Sequence, residues 1–232
     1  MAVSFASIQA DVLSLLNALT ATTAATAETA YTNVVAGTVA SLSTDWPVTM
    51  IQESILDSEY QVIYEICLNP IHPERSDFNK TSSTLATGAV LPSTASDSTP
   101  FLGTFSYVKN NTNGNLLTER PLQIVKYAIE NTNSMFALTP AIYALTGNTI
   151  HFTSGNAPVI VGPGASRATW TGNIRCRDHW RPAIVAGAMV RLLPKEGAWL
   201  EAMAPHAQLW ADFIGQIRNY GLAVAKPTPS QT

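Results

Sequence analysis

The chain has 232 residues, of which 46% are apolar and only 12% charged, about half the usual share of ~25%. That length suits one large domain or a core with an inserted segment, and a net charge of −3 argues against a nucleic-acid binder at the level of the whole molecule. Two cysteines, Cys67 and Cys176, are too few for a disulfide scaffold. No run of ~18 apolar residues marks a membrane span. The first 50 residues contain no Lys or Arg with which a secretory signal would begin, so a soluble intracellular product is expected.

Phe5, Ile8, Val12, Leu15 and Leu19 recur at steps of three and four, and Tyr31, Val34, Val35, Val39 and Leu42 resume the stripe. This spacing predicts one long helix over roughly 4–42, broken near the threonines or Gly37. A second helix is expected after Pro47, with Thr44 or Asp45 as its cap and the proline in its first turn. Ile51, Ile55, Val62 and Ile66 form one buried row, with Leu56, Tyr60, Ile63 and Cys67 beside it. Pro70 and Pro73 end this helix, and the two helices are expected to pair antiparallel.

Residues 76–118 are rich in Ser, Thr, Asn and Gly. They predict loops with short strands near 86–91 and 101–108, and turn chemistry at Asn113-Gly114-Asn115. A short helix follows, with Pro121 in its first turn and Leu122, Val125 and Ile129 on one face. Ile142–Thr146 and Thr149–Thr153 flank Gly147-Asn148, the signature of a two-residue hairpin. A further strand is expected at 157–162. From Asp178 the helical period returns through Val185, Met189, Leu192, Trp199, Met203, Trp210, Phe213 and Ile217, with breaks or kinks at Pro194 and Pro205. Asp178 is the expected N-cap and Pro182 belongs to the first turn. Residues 223–232 carry no core-forming pattern and read as an extended tail.

The fold class that follows is α+β. It is a bundle of long N-terminal helices and a long C-terminal helix, with an inserted β-rich subdomain. The expected divisions are 1–76 helical, 77–175 inserted, 176–222 helical and 223–232 tail.

Sequence patterns for catalysis are missing: there is no HExxH, GxSxG, GxxxxGK[ST] or CxxC. Cys67 with His72, and Cys176 with His179, have the residue types of a zinc site but loose spacing, so neither a metal nor any other cofactor is expected. Glu53, Asp57, Glu59 and Glu65 fall on different faces of the second helix and read as solvated acids. His151 alternates with Ile150 and Phe152 and reads as surface.

The arginines are the unusual feature. Arg167, Arg175, Arg177, Arg181 and Arg191 crowd into 25 residues. With Trp180 they could form a phosphate or base-stacking surface, a charged protein–protein contact, or only the flank of a helix start. The candidate partner-binding residues are therefore Arg175, Arg177, Trp180 and Arg181. To these the tail adds Ala225, Lys226, Pro227, Thr228 and Pro229, an extended segment suited to a partner groove.

Four segments resemble a known family: "ILDSEYQVIYEICLNPIHPER", "ERPLQIVKYAIENTN", "YALTGNTIHFTSGNAPVIVG", and the C-terminal helix with "LLPKEGAW". In order and layout they look like the head–tail connector (adaptor) proteins of tailed bacteriophages. There a short helix ending in Asn leads to a strand–Gly–strand hairpin, and a pair such as His179-Trp180 introduces the final helix. The resemblance implies a structural virion protein without catalysis, located at the neck between capsid and tail and in the host cytoplasm during assembly. It implies a homo-oligomeric ring of about twelve copies, bound to the portal protein and offering a platform to the next tail or neck protein. DNA would pass through its channel without sequence-specific contact, and no membrane would be involved. The rival readings are a capsid-decorating or tail-completion protein and, from another class, a small hydrolase.

Overall fold

The computed structural model describes residues 3–16, 46–131, 141–153, 157–170, 172–193 and 200–220. The protein is of mixed α+β class. Its chain divides into two compact units, Met1–Asn69 with Arg167–Thr232, and Pro70–Ser166.

The first unit is helical. Helix α1 (Phe5–Leu15) starts where the Ser4 hydroxyl accepts the Ser7 N–H at 3.1 Å, satisfying a donor the helix cannot. Phe5, Ile8 and Val12 are buried as the spacing predicts, but Leu15 is 48% exposed and Leu13 and Leu16 take the interior instead. The buried row steps from Val12 by four to Leu16, which leaves Leu15 on the rim. The expected continuation from 17 to 42 lies outside the described residues, as do Thr44 and Asp45.

Helix α2 (Val48–Leu68) has Pro47 at its N-cap, one place earlier than expected. Ile51, Ile55, Val62, Ile63, Ile66 and Cys67 are wholly buried, while Tyr60 is only half-buried. At its C-terminal end the Asn69 amide donates to the Ile217 carbonyl at 2.7 Å.

A 3-10 turn at Asp178–Trp180 leads into α4 (Arg181–Leu192), and α5 (Leu200–Asn219) follows; α3 (Leu122–Glu130) belongs to the other unit. Asp178 is not the cap expected of it. Arg177 precedes the 3-10 turn and Trp180 precedes α4, with Asp178 inside that turn. Pro182 does sit in the first turn of α4, where its missing N–H is harmless. Pro205 lies inside α5, which runs on through it rather than breaking. Pro194 and Trp199 fall outside the described residues.

Helices α1, α2 and α5 all pack on α4, which is the central helix. Its small residues allow this. A Cβ on Gly187 would stand 2.7 Å from the Trp210 ring and 2.9 Å from the Ser58 hydroxyl, closer than real atoms come.

Residues 167–175, expected within the β-rich segment, cluster with the helices instead. Asn173 forms a β-bridge with Ser4, and the Ile174 N–H donates to the Val3 carbonyl at 2.9 Å. Backbone pairing to the N-terminus thus moves the boundary earlier.

The second unit is β-rich. A 3-10 turn at Pro73–Phe78 is capped by His72, whose Nδ1 accepts the Glu74 N–H at 3.3 Å. Among the described residues its strands are β1 (Asn79–Thr81), β2 (Ala89–Val90), β3 (Tyr107–Asn110), β4 (Thr118–Glu119), β5 (Ile142–Thr146), β6 (Thr149–Phe152) and β7 (Pro158–Pro163). They form two sheets, in the orders β1-β7-β3 and β2-β6-β5-β4. All pairs are antiparallel except β4 with β5. The β5–β6 hairpin closes on Thr146 opposite Thr149, with Gly147 at φ +58° in the turn.

Strand alternation sorts the core into two layers. Ile142 and Ala144 pack with Val125 and Ala128 of α3 (Leu122–Glu130). Tyr143 turns the other way and joins Val108, Leu117, Ile150, Phe152 and Ile160. The expected strands near 86–91 and 101–108 are shorter or shifted, and β1 and β4 carried no periodic signal. Pro121 stands at the N-cap of α3 rather than in its first turn.

Candidate functional site

The clustered arginines lie in the helical unit, and the geometry gives most of them internal partners. Arg175 is the most deeply engaged. Its backbone N–H donates to Glu59 Oε1 at 2.6 Å and its Nη2 reaches Glu59 Oε2 at 2.8 Å. The Glu59 side chain is wholly buried, so the arginine supplies the counter-charge that burial demands. On the same helix, buried Glu65 takes Arg218 in a fork, Nη2 to Oε1 at 2.6 Å and Nε to Oε2 at 2.8 Å. The Arg218 hydrogen bond, against the opposing effect of burial, holds the Glu65 carboxyl below its ordinary range.

Arg181 at the start of α4 pairs with Asp11 of α1, Nη2 to Oδ2 at 2.6 Å. Arg167 bridges Glu53 and Asp57 on α2, reaching Asp57 Oδ1 at 2.7 Å. Arg191 donates to the Ser58 hydroxyl and the Gly187 carbonyl, both at 3.2 Å, and its guanidinium lies 5.6 Å from the Trp210 ring centre. Burial pushes its pKa down. Arg177 is exposed.

Trp180 is 6% exposed. Its ring packs against His179 at 4.7 Å and edge-on to Phe213 at 6.2 Å, so it is a core residue and not a stacking platform. The tail residues Ala225, Lys226, Pro227, Thr228 and Pro229 lie outside the described residues.

The reading of the α2 acids as solvated needs correction. Glu53 and Asp57 are exposed, but Glu59 and Glu65 are 0% and 5% exposed. The signal was present in the buried row itself, which steps from Ile55 to Val62 across seven positions. Glu59 is the residue that completes it, four beyond Ile55 and three short of Val62. Asp11 and Arg218 were also missed, and nothing local in the sequence distinguishes them.

Cys67 and Cys176 are both buried. Among the described residues no group of three or more His, Cys, Asp or Glu is placed to hold a metal ion, and no helix is long and apolar enough to cross a membrane.

The helical unit also carries a groove of about 500 Å³ between α1, α4 and α5. Its lining includes Leu15, Arg181, Pro182, Val185, His206 and Leu209. A smaller hollow of about 240 Å³ in the β-rich unit is lined by Leu91, Phe101, Phe105 and Ile160 among others. No protein-family model matches the chain, and no curated protein matches it.

Proposed function

We propose that this protein is a head-to-tail connector, a structural virion component that forms a ring below the portal of a tailed bacteriophage and carries the tail or neck protein beneath. In this reading the architecture is a helical bundle with an inserted β-rich subdomain. The ring extends the DNA channel without reading sequence, and catalysis plays no part. The observation that carries the reading is the order of elements. A helical N-terminal part and a helical C-terminal part belong to one compact unit, and the β-rich segment between them forms its own. That is the layout the four resembling segments imply. The low charged fraction of 12% supports it, because large lateral contacts favour surfaces with few charges to desolvate.

Native mass spectrometry of the full chain, alone and mixed with a portal ring, tests the proposal. The expected result is a complex with about twelve copies on the portal, the number the resemblance implies, joined as a closed ring. A chain that stays monomeric or dimeric with the portal present would refute it, and a free trimer would favour a capsid-decorating role.

A further inference from the structure

We propose that Asn113 is a site of spontaneous covalent modification, where the Gly114 nitrogen closes on the side-chain amide and the residue becomes aspartate or isoaspartate. The sequence holds a single Asn-Gly pair, at Asn113-Gly114. It lies in the loop that follows β3, where residues 111–116 are all exposed. Gly114 stands at φ +74°, and nothing lies within 4 Å of the place a Cβ would take. Without that Cβ, the flank of the attacking nitrogen is open.

The Asn113 side chain is already folded back over the backbone. Its Oδ1 accepts the Asn115 N–H at 3.0 Å. That bond keeps the amide carbon near the intervening Gly114 nitrogen and draws electrons away from the carbon. Proximity of this kind stands in for an encounter between separate reactants. One contact opposes the step. The Gly114 N–H donates to the Asn110 carbonyl at 2.9 Å and must open first. Opening a single exposed hydrogen bond slows the reaction by about tenfold at most.

The chemistry needs only water. Solvent base takes the Gly114 amide proton, and the nitrogen attacks Asn113 Cγ. The N–Cγ bond forms as the Cγ–Nδ2 bond breaks, and Nδ2 takes a proton from solvent and leaves as ammonia. Water then opens the cyclic imide at one carbonyl to give aspartate, or at the other to give isoaspartate. Either product adds a carboxylate to a chain of net charge −3. Isoaspartate also adds a main-chain carbon to the loop that the Asn110 N–H closes on the Asn115 carbonyl at 2.8 Å.

Peptide mapping by tandem mass spectrometry tests this, on the full chain aged in heavy-oxygen water with and without urea. In the native chain, Asn113 is expected to convert ahead of every other asparagine. Both isomers should form, each carrying one heavy oxygen, and faster as pH rises. The native rate should lie within about tenfold of the rate in urea. Gly114→Asn should stop the conversion at Asn113. Asn tolerates the left-handed backbone, so the turn and the thermal melt are kept while a side chain now flanks the nitrogen. A native chain whose Asn113 stays an amide, whatever happens in urea, overturns the proposal. So does a Gly114→Asn chain that converts at Asn113 as fast as the wild type.

Discussion

Glu59 shows how far a side chain's surroundings decide its worth. It is wholly buried and held by Arg175 through three groups, the backbone N–H, Nε and Nη2. Removing one member of a buried pair leaves the other uncompensated, which costs about 3–5 kcal/mol. Arg175 keeps a third of its side chain in water, so Glu59→Gln is expected at the lower end, about 3 kcal/mol, read from the urea midpoint. Arg167→Ala is the contrast. Its partners Glu53 and Asp57 are 59% and 49% exposed, and such pairs contribute about 0–1 kcal/mol, so the midpoint should barely move.

Glu65 adds a pH signature. Its pKa is lower in the folded chain than the ordinary 4.5 because Arg218 binds the carboxylate. A carboxyl depressed on folding stabilises fully above its unfolded pKa and loses that contribution as pH falls through the folded value. The wild type should therefore weaken as pH drops below about 4.5. Glu65→Gln should be less stable at neutral pH and flatter across that acid window, both measured by urea midpoints against pH.

Among the elements, two glycines should fail for different reasons. At Gly187 a methyl group meets Trp210 and Ser58 at under 3 Å, so α4 must move away from α2 and α5. Gly187→Ala should cost about 1–3 kcal/mol as overpacking. At Gly147 nothing lies within 4 Å, but φ is +58°, a region disfavoured for residues with a Cβ. Gly147→Ala should cost about 1–2 kcal/mol through the hairpin turn alone. Thermal melts give both totals. Hydrogen exchange separates them, with loss confined to β5 and β6 for Gly147→Ala and spread over α2, α4 and α5 for Gly187→Ala.

The molecule as a whole was partly legible in its sequence, and the physical reasons differ by part. The β5–β6 hairpin and the apolar rows of α2 and α4 were readable because burial on one face imposes a period. Strands β1 and β4, of three and two residues, are too short to show one; their pairing comes from β7 and β5. The acids of α2 were misread because residue type suggested water while position put them in the core. Arg175 and Arg181 stand out in the sequence as candidate partner contacts, yet each is held by an acid distant in sequence that local spacing does not reveal. If the tail named above as a candidate partner-binding segment is what anchors the ring to the portal, one prediction follows at this scale. Deleting residues 223–232 should leave the thermal melt unchanged, since no apolar row reaches that far, and abolish co-sedimentation with portal rings.

The pairing of Glu59 with Arg175 and of Glu65 with Arg218 spans 116 and 153 residues. During synthesis α2 therefore leaves the ribosome well before its counter-charges, by on the order of ten seconds for the nearer one. Until then its two acids must keep their water, so α2 has no settled partner. The segment Pro70–Ser166 contains its own strand partners and meets them all within that interval. The β-rich part is thus expected to gain protease resistance on the nascent chain first. The N-terminal helices, although made earlier, should acquire it last, when Arg218 arrives.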